Sequence, residues 1–231
     1  MKVKQFPKII NEELAEETGW HIGDGSMNYY KNGGKRKGLY QLRGHIEDDK
    51  PHYIQRIKPL FKKLYGIDIS LREMPSTRVF GFQIWNNNLV KFKQHLGIKI
   101  GPKLKIRIPQ IFLTDKKLKV AIIRGIFDTD GCVYLEKKNH KLYPRLQIAT
   151  ISSKLANQLT GELNSLEFRA TQYKDFPKLK YTKKRIAHII TIRGVAMLHK
   201  FFKEISPKNS KHIFKYNKFV ESTKALKMNL Y

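Results

Sequence analysis

The organisation of the chain is evident from two related segments, ELAEETGWHIGDG at residues 13–25 and KVAIIRGIFDTDG at residues 119–131. Each has the apolar spacing of an amphipathic helix, and each ends in Asp-Gly. Asp24 and Asp130 are 106 positions apart, and Gly19 and Gly125 keep the same offset. An offset shared by several positions indicates an internal repeat.

The segments that follow the two stretches repeat as well. After each Asp-Gly the pattern predicts two strands, a helix, two more strands and a closing helix. In the first half these begin at Ser26 and continue at 39–46, 51–65, 67–73, 79–85 and 87–96. In the second half they begin at Cys132 and continue at 145–150, 153–166, 169–173, 185–193 and 195–204. We therefore predict an α+β fold of two pseudo-symmetric αββαββα halves, residues 1–113 and 114–231.

The predicted strands alternate apolar and polar residues, as half-buried strands do. The apolar faces are predicted to carry Tyr40, Leu42, Ile46, Leu146, Ile148, Ile186, Ile190 and Ile192. The opposite faces carry Arg, Gln, His and Thr, which suit hydrogen bonds to base edges and phosphates. A plain solvated face is the alternative, because antiparallel sheets commonly leave one side open to water.

The charge of the chain favours a polyanionic partner. The 231 residues include 46 Lys and Arg against 19 Asp and Glu, a net charge of +27. Residues 1–115 hold 21 basic and 11 acidic residues, a net of +10, so the second half carries +17. A basic excess spread along a folded chain is typical of nucleic-acid binding, with a ribosomal-type protein or a membrane-surface binder as alternatives.

Composition also excludes several classes of protein. Hydrophobic residues make up 41% of the chain, which is enough for a packed core. The single Cys132 excludes a disulfide framework and a cysteine-rich zinc site. The N-terminus MKVKQFPKII is too polar for a signal peptide, and no apolar run approaches the ~20 residues of a membrane helix. We expect a cytoplasmic protein, or an organellar one in a eukaryote, that is not secreted and has no membrane partner.

The two aspartates break a local rule at equivalent places. A carboxylate at a helix C-terminus opposes the helix dipole and is unfavourable by up to ~1 kcal/mol. The glycine after each is predicted to end its helix in the left-handed conformation. Small residues one turn apart, Gly19 and Gly23 in one helix and Gly125 and Thr129 in the other, let the helices approach closely. If they pack together, the two carboxylates become neighbours, and a shared Mg²⁺ would relieve their repulsion.

The motifs GWHIGDGS at residues 19–26 and RGIFDTDGC at residues 124–132 resemble the two motifs of the LAGLIDADG homing endonucleases of the single-chain type. The second copy is close to the family pattern, whereas the first has Trp20 and His21 in place of aliphatic residues. GPKLKIRIP at residues 101–109 also resembles a segment of the family, and its repeat counterpart is SPKNSK at residues 206–211.

The resemblance implies a saddle of two sheets that straddles duplex DNA, with the motif helices at the interface of the halves. It implies that Asp24 and Asp130 bind divalent metal, assisted by the main-chain carbonyls of Gly23 and Thr129. Lys103 and Lys211 are the implied catalytic lysines, and Lys105 and Lys208 are their rivals. Mg²⁺ is the expected cofactor, with Mn²⁺ or Ca²⁺ as substitutes. His45 matches a position where the family often places a polar residue near the metal.

The predicted function is site-specific cleavage of both strands of DNA at a long recognition site. The alternatives are an intron RNA maturase on the same scaffold and an inactive DNA-binding relative. We expect a monomer without an obligate protein partner, encoded in an intron or free-standing; an intein is disfavoured because the chain opens with Met and leaves no room for splicing blocks. Trp20 and Trp85 are expected in the core or interface. The candidate DNA-binding residues are Asn28, Tyr30, Gln41, Arg43, His45, Arg72, Gln83, Lys137, Arg145, Gln147, Arg185, Thr191 and Arg193.

Overall fold

The computed structural model describes residues 3–32, 34–138, 141–176 and 185–228. The helices of the described residues are α1 (Glu12–Asp24), α2 (Lys50–His52), α3 (Lys58–Tyr65), α4 (Asn87–His95), α5 (Lys116–Asp130), α6 (Ser153–Ser165), α7 (Val195–Glu204) and α8 (Ser210–Met228). A π-helical turn, Tyr53–Ile57, joins α2 to α3. The strands are β1 (Gly25–Asn32), β2 (Lys35–His45), β3 (Arg72–Met74), β4 (Val79–Trp85), β5 (Gly131–Lys138), β6 (Lys141–Thr150), β7 (Thr171–Asp175) and β8 (Ala187–Arg193).

The strands form two antiparallel sheets with the same connectivity. The strand order is β1-β2-β4-β3 in the first sheet and β5-β6-β8-β7 in the second. The registers also match, since Gly25 pairs with Leu42 and Gly131 pairs with Ile148, again 106 positions on. The predicted α+β fold with two αββαββα halves is confirmed.

Helices α1 and α5 pack on each other between the two sheets. Each begins at a side-chain cap: Asn11 accepts a hydrogen bond from the Leu14 amide, and Asp115 accepts from the amides of Lys117 and Leu118. Their backbones approach most closely at the glycines. A Cβ built on Gly19 would lie 2.9 Å from the Cα of Gly125, so no larger residue fits without moving a helix. The predicted contact of the small-residue faces is confirmed.

Two consecutive glutamates of α1, Glu16 and Glu17, form ion pairs with basic side chains from other elements. The carboxylate of Glu16 in α1 accepts two hydrogen bonds of 2.9 Å from Arg56 and one of 3.1 Å from Arg124, which belongs to α5. The neighbouring Glu17 is fully buried and pairs with the equally buried Lys93. These pairs explain how a helix with two consecutive glutamates can lie inside the protein.

The structure departs from the sequence predictions in four places. Strand β3 covers only Arg72–Met74, because the preceding apolar residues of the predicted strand are buried in the core without a strand partner. Strand β8 starts at Ala187, so Ile186 precedes the sheet and is exposed. Helix α8, which packs on β5, was not predicted; its polar and apolar residues are distributed around the helix without a strong apolar face.

The glycines after the two aspartates are the fourth departure. Gly25 and Gly131 are extended, with φ of −82° and −85°, and not left-handed. Their requirement is steric, since a Cβ on Gly25 would lie 2.6 Å from the Cα of His21, and one on Gly131 would collide with Phe127. None of the described helices is both long and apolar enough to cross a lipid bilayer.

Candidate active site

The two aspartates converge at the ends of the packed helices. Asp24 is the last residue of α1 and Asp130 the last of α5, and both are partly exposed. A Cβ built on Gly23 would lie 3.4 Å from the carboxyl carbon of Asp130, which places that carboxylate beside the end of the other helix. The four residues predicted from the sequence to bind metal, Asp24, Asp130, Gly23 and Thr129, therefore lie together at the ends of the two helices.

One lysine from each half lies beside Asp24 and Asp130, and we call the site formed by these four side chains the centre. The Nζ of Lys103 donates a hydrogen bond to the carbonyl oxygen of Gly23. The Nζ of Lys211 lies 3.5 Å from the carbonyl oxygen of Thr129. The rivals point elsewhere, since Lys105 is exposed and the Nζ of Lys208 bonds the Ser206 hydroxyl. The geometry thus selects Lys103 and Lys211 from the alternatives that the sequence left open.

A third carboxylate, which sequence reasoning missed, lies beside the pair. Asp49 is 4% exposed, and its carboxylate accepts a 2.7 Å hydrogen bond from Lys211. A Cβ built on Gly44 would lie 2.8 Å from Oδ2 of Asp49 and 2.9 Å from Oδ2 of Asp24, so both carboxylates converge on this glycine. The π-helical turn brings the Tyr53 hydroxyl within 3.4 Å of the same Asp24 oxygen.

The electrostatics of the centre follow from burial and from the mutual proximity of these groups. The pKa of Asp24 is raised to about 8, mainly by burial and also by the negative charges of Asp130 and Asp49. The positive charges of Lys103 and Lys211 oppose this shift. Burial likewise raises the pKa of Asp130 to about 6. Burial lowers the pKa of Lys103, and the two motif aspartates oppose that shift. The ionised forms of both aspartates are therefore destabilised when no further cation is bound.

The residues present fit a divalent metal that is completed by its substrate. No three His, Cys, Asp or Glu side chains of the described residues form a self-sufficient metal site. Asp24 and Asp130 nevertheless offer oxygen ligands next to the carbonyls of Gly23 and Thr129, and both carbonyls already attract lysine ammonium groups. Hard oxygen ligands of this kind are those that Mg²⁺, Mn²⁺ and Ca²⁺ take.

The open faces of the two sheets carry most of the predicted DNA-binding residues. The strand registers place Arg43 opposite Gly81, which in turn is opposite Arg72, and place Gln147 opposite Cys132. Side chains on one face of an antiparallel pair lie opposite one another. Arg43 and Arg72 therefore lie on the same face of the first sheet, and Gln147 lies on the same face of the second sheet as Cys132. The predicted residues on the open faces are Asn28, Tyr30, Gln41, Arg43, His45, Arg72, Gln83, Arg145, Gln147 and Arg193.

Three of the predicted DNA-binding residues do not present an exposed side chain on an open sheet face. Lys137 is on the same side of β5 as the core residue Val133, because side chains alternate along a strand. Arg185 is exposed but precedes β8, so the sheet does not hold it. Thr191 is in the open-face register but is 1% exposed, because neighbouring strands on both sides cover it.

Other side chains modify the open faces in ways the sequence did not reveal. Trp20 is buried as expected, whereas Trp85 is 46% exposed at the end of β4 with its ring against Tyr30. Arg145 forms an ion pair with Glu136 of the adjacent strand. The Nδ1 of His45 lies 3.5 Å from Oδ2 of Asp48.

Comparison with known proteins accords with this geometry. The family model described as "LAGLIDADG-like domain" matches residues 117–206. The match lies in the second half of the chain and covers 90 of its 231 residues. This match confirms the resemblance at the second motif, and it covers residues 117–130 of α5 and the strands of the second sheet.

Solved LAGLIDADG endonucleases have the same fold over most of the chain. I-DmoI in complex with DNA and Ca is 18% identical, with a TM-score of 0.61, over 84% of this chain and 88% of that one. I-AabMI bound to uncleaved DNA is 13% identical, with a TM-score of 0.60, over 95% and 93%. A segment of the DNA polymerase of Thermococcus kodakarensis is 24% identical over 214 residues, 87% of this chain, which spans 12% of the polymerase.

Proposed function

We propose that the protein is a metal-dependent endonuclease that cuts both strands of duplex DNA at a long, specific site. The observation that carries the proposal is the convergence of Asp24 and Asp130 at the ends of two packed helices, with Lys103 and Lys211 beside them. Two carboxylates and two cations related by a repeat suit two phosphodiester bonds, one in each strand.

The charge and the sheet faces support duplex DNA as the substrate. The net charge of +27 supplies many phosphate contacts, and the open faces present paired Gln and Arg side chains suited to base edges. The I-DmoI and I-AabMI structures of the same fold contain DNA. Arg43, Arg145 and Arg193 are the side chains that we expect to contribute most to sequence discrimination.

In the proposed reaction the chain's own groups orient the DNA and balance charge. The carboxylates of Asp24 and Asp130 and the carbonyls of Gly23 and Thr129 would hold divalent metal, with Mg²⁺ as the expected ion. When bound, the metal stabilises charge on the phosphodiester and helps to ionise the attacking water. Lys103 and Lys211 neutralise negative charge that develops on the phosphate in the transition state.

The test uses a plasmid that carries the gene's flanking sequences joined without the gene. With Mg²⁺ the protein should convert this plasmid to a linear product, whereas Asp24→Asn and Asp130→Asn should bind it in Ca²⁺ and leave it uncut. Asp68→Asn is the matched control, because Asp68 is exposed and distant from the motif in sequence. Cleavage by either motif variant at the wild-type rate would refute the assignment.

The RNA partner, the location of the gene and the oligomeric state stay predictions. Intron RNA as a partner, an intron-encoded gene and a monomer in solution rest on the resemblance and the repeat alone. A filter-binding comparison of intron RNA with the plasmid site separates the maturase alternative from the nuclease.

A further inference from the structure

Asp49 occupies the first capping position of a helix but does not cap it. It precedes α2, where an aspartate normally accepts hydrogen bonds from the first helical amides, and its side chain accepts none of them. Its Oδ1 instead accepts from the side chains of Asn209, at 2.8 Å, and Lys211, at 2.7 Å. Its Oδ2 accepts from the amide of His45 at 2.8 Å. This buried carboxylate therefore does not cap α2, and its Oδ1 instead binds Asn209 and Lys211, which are 160 and 162 residues away in the sequence.

The equivalent position of the other half behaves conventionally. Ser152 precedes α6, and its hydroxyl accepts a hydrogen bond from the Leu155 amide and donates one to the Ile106 carbonyl. It carries no charge, and among the described residues its side chain forms no hydrogen bond with a lysine. The repeat thus offers an internal comparison: the same cap position is an ordinary helix cap in one half and a lysine partner in the other.

The two lysines of the centre consequently have different surroundings. Lys211 is held by the Asp49 carboxylate, and the adjacent Asn209 binds both Asp49 and the main-chain carbonyl of Asp128. Lys103 bonds only the Gly23 carbonyl among the described residues. A lysine side chain has four flexible carbons, so a fixed carboxylate partner restricts where its ammonium group lies.

We propose that Asp49 is a positioning residue that fixes the ammonium group of Lys211 in the centre and so makes the two halves cut their strands at unequal rates. The proposal rests on the endonuclease function proposed above. The strand served by Lys211 depends on Asp49, and the strand served by Lys103 does not. The asymmetry arises from one side chain at a cap position rather than from the motif helices.

The experiment has a cleavage readout and a readout that needs no DNA. The substrate is a DNA duplex of the gene's flanking sequences joined without the gene, with each strand labelled separately. Single-turnover cleavage in Mg²⁺ is measured for the wild type, Asp49→Asn, Asp49→Ser and Lys211→Met. Asp49→Ser reproduces the cap of the other half and so guards against misfolding. Asp48→Asn is the matched control, because the neighbouring Asp48 is 66% exposed. Acetylation rates of Lys211 and Lys103 in the free protein are measured by mass spectrometry.

Both Asp49 variants should slow cleavage of one strand about tenfold or more while the other changes less than about twofold, so that nicked duplex accumulates. Lys211→Met should slow the same strand, and a double variant that combines Asp49→Asn with Lys211→Met should be no slower than Lys211→Met. Acetylation of Lys211 should speed up by about threefold, the value of a modest ion pair, with Lys103 unchanged.

Equal slowing of both strands, or an unchanged Lys211 acetylation rate, would overturn the positioning role. If the wild type cuts neither strand, the endonuclease function fails, and the acetylation rates still decide whether Asp49 holds Lys211.

Discussion

The raised pKa of Asp24 makes a quantitative prediction about stability without metal. Its pKa is about 8 in the folded protein against 3.8 ordinarily, because of burial and the charges of Asp130 and Asp49. The folded state therefore holds a proton that the unfolded state has released, so stability falls as pH rises from about 4 to about 8. At pH 7 the penalty is about 4 kcal/mol, and Asp24→Asn should recover it. For a chain of this size the gain corresponds to a melting temperature roughly 10 °C higher.

The assay is thermal unfolding in EDTA from pH 5 to pH 8.5 for the wild type, Asp24→Asn, Asp130→Asn and the exposed control Asp68→Asn. The gain of Asp24→Asn should keep growing up to about pH 8. That of Asp130→Asn should level off near pH 6 at about 3 kcal/mol, because its pKa is about 6. Added Mg²⁺ should stabilise only the variants that keep both carboxylates. Motif variants that melt at or below the wild-type temperature at pH 8 would refute the reasoning.

Three further predictions concern the core, the interface and the DNA face. Glu17→Gln should lower the free energy of unfolding by about 3–5 kcal/mol, since it leaves the buried Lys93 ammonium without a charge partner; the exposed Glu47→Gln should change it little in the same urea titration. Gly19→Ala should destabilise by about 1–3 kcal/mol because the helices must separate, and an unchanged urea midpoint would contradict the packing. Arg43→Ala should reduce the affinity ratio between the specific site and random duplex by about 1–3 kcal/mol while leaving the steep salt dependence of binding nearly intact, as measured by fluorescence anisotropy.

The repeat and the strand alternation made most of the fold predictable. The 106-position offset survives in the strand registers, because identical hydrophobic spacing selects identical pairing in both halves. The motif aspartates were predictable for a different reason: an acid at a helix C-terminus has no local justification, so it signals a role beyond the helix. Lys103 and Lys211 could be named from the resemblance, but only their contacts in the folded chain distinguish them from Lys105 and Lys208.

The features that escaped prediction depend on long-range contacts. Asp49 looks like an ordinary helix cap in the sequence, and nothing local indicates that its partners are Asn209 and Lys211. The left-handed assignment of Gly25 failed because a steric requirement imposed by the preceding turn also selects glycine. Thr191 has the right parity for the open face, yet parity says nothing of the neighbours that cover a side chain.

The charges of the candidate site bear on the metal requirement that we propose for a protein with so large a basic excess. Asp24, Asp130 and Asp49 bring three carboxylates together, against the two ammonium groups of Lys103 and Lys211. One of these ammonium groups is already paired with Asp49. The remaining basic residues are distributed along the chain. When both motif aspartates are ionised, as metal ligands are, the three carboxylates outnumber the two ammonium groups; an entering phosphate adds further negative charge, which a divalent cation offsets. The raised pKa values of the two motif aspartates and the proposed metal requirement thus have one physical origin.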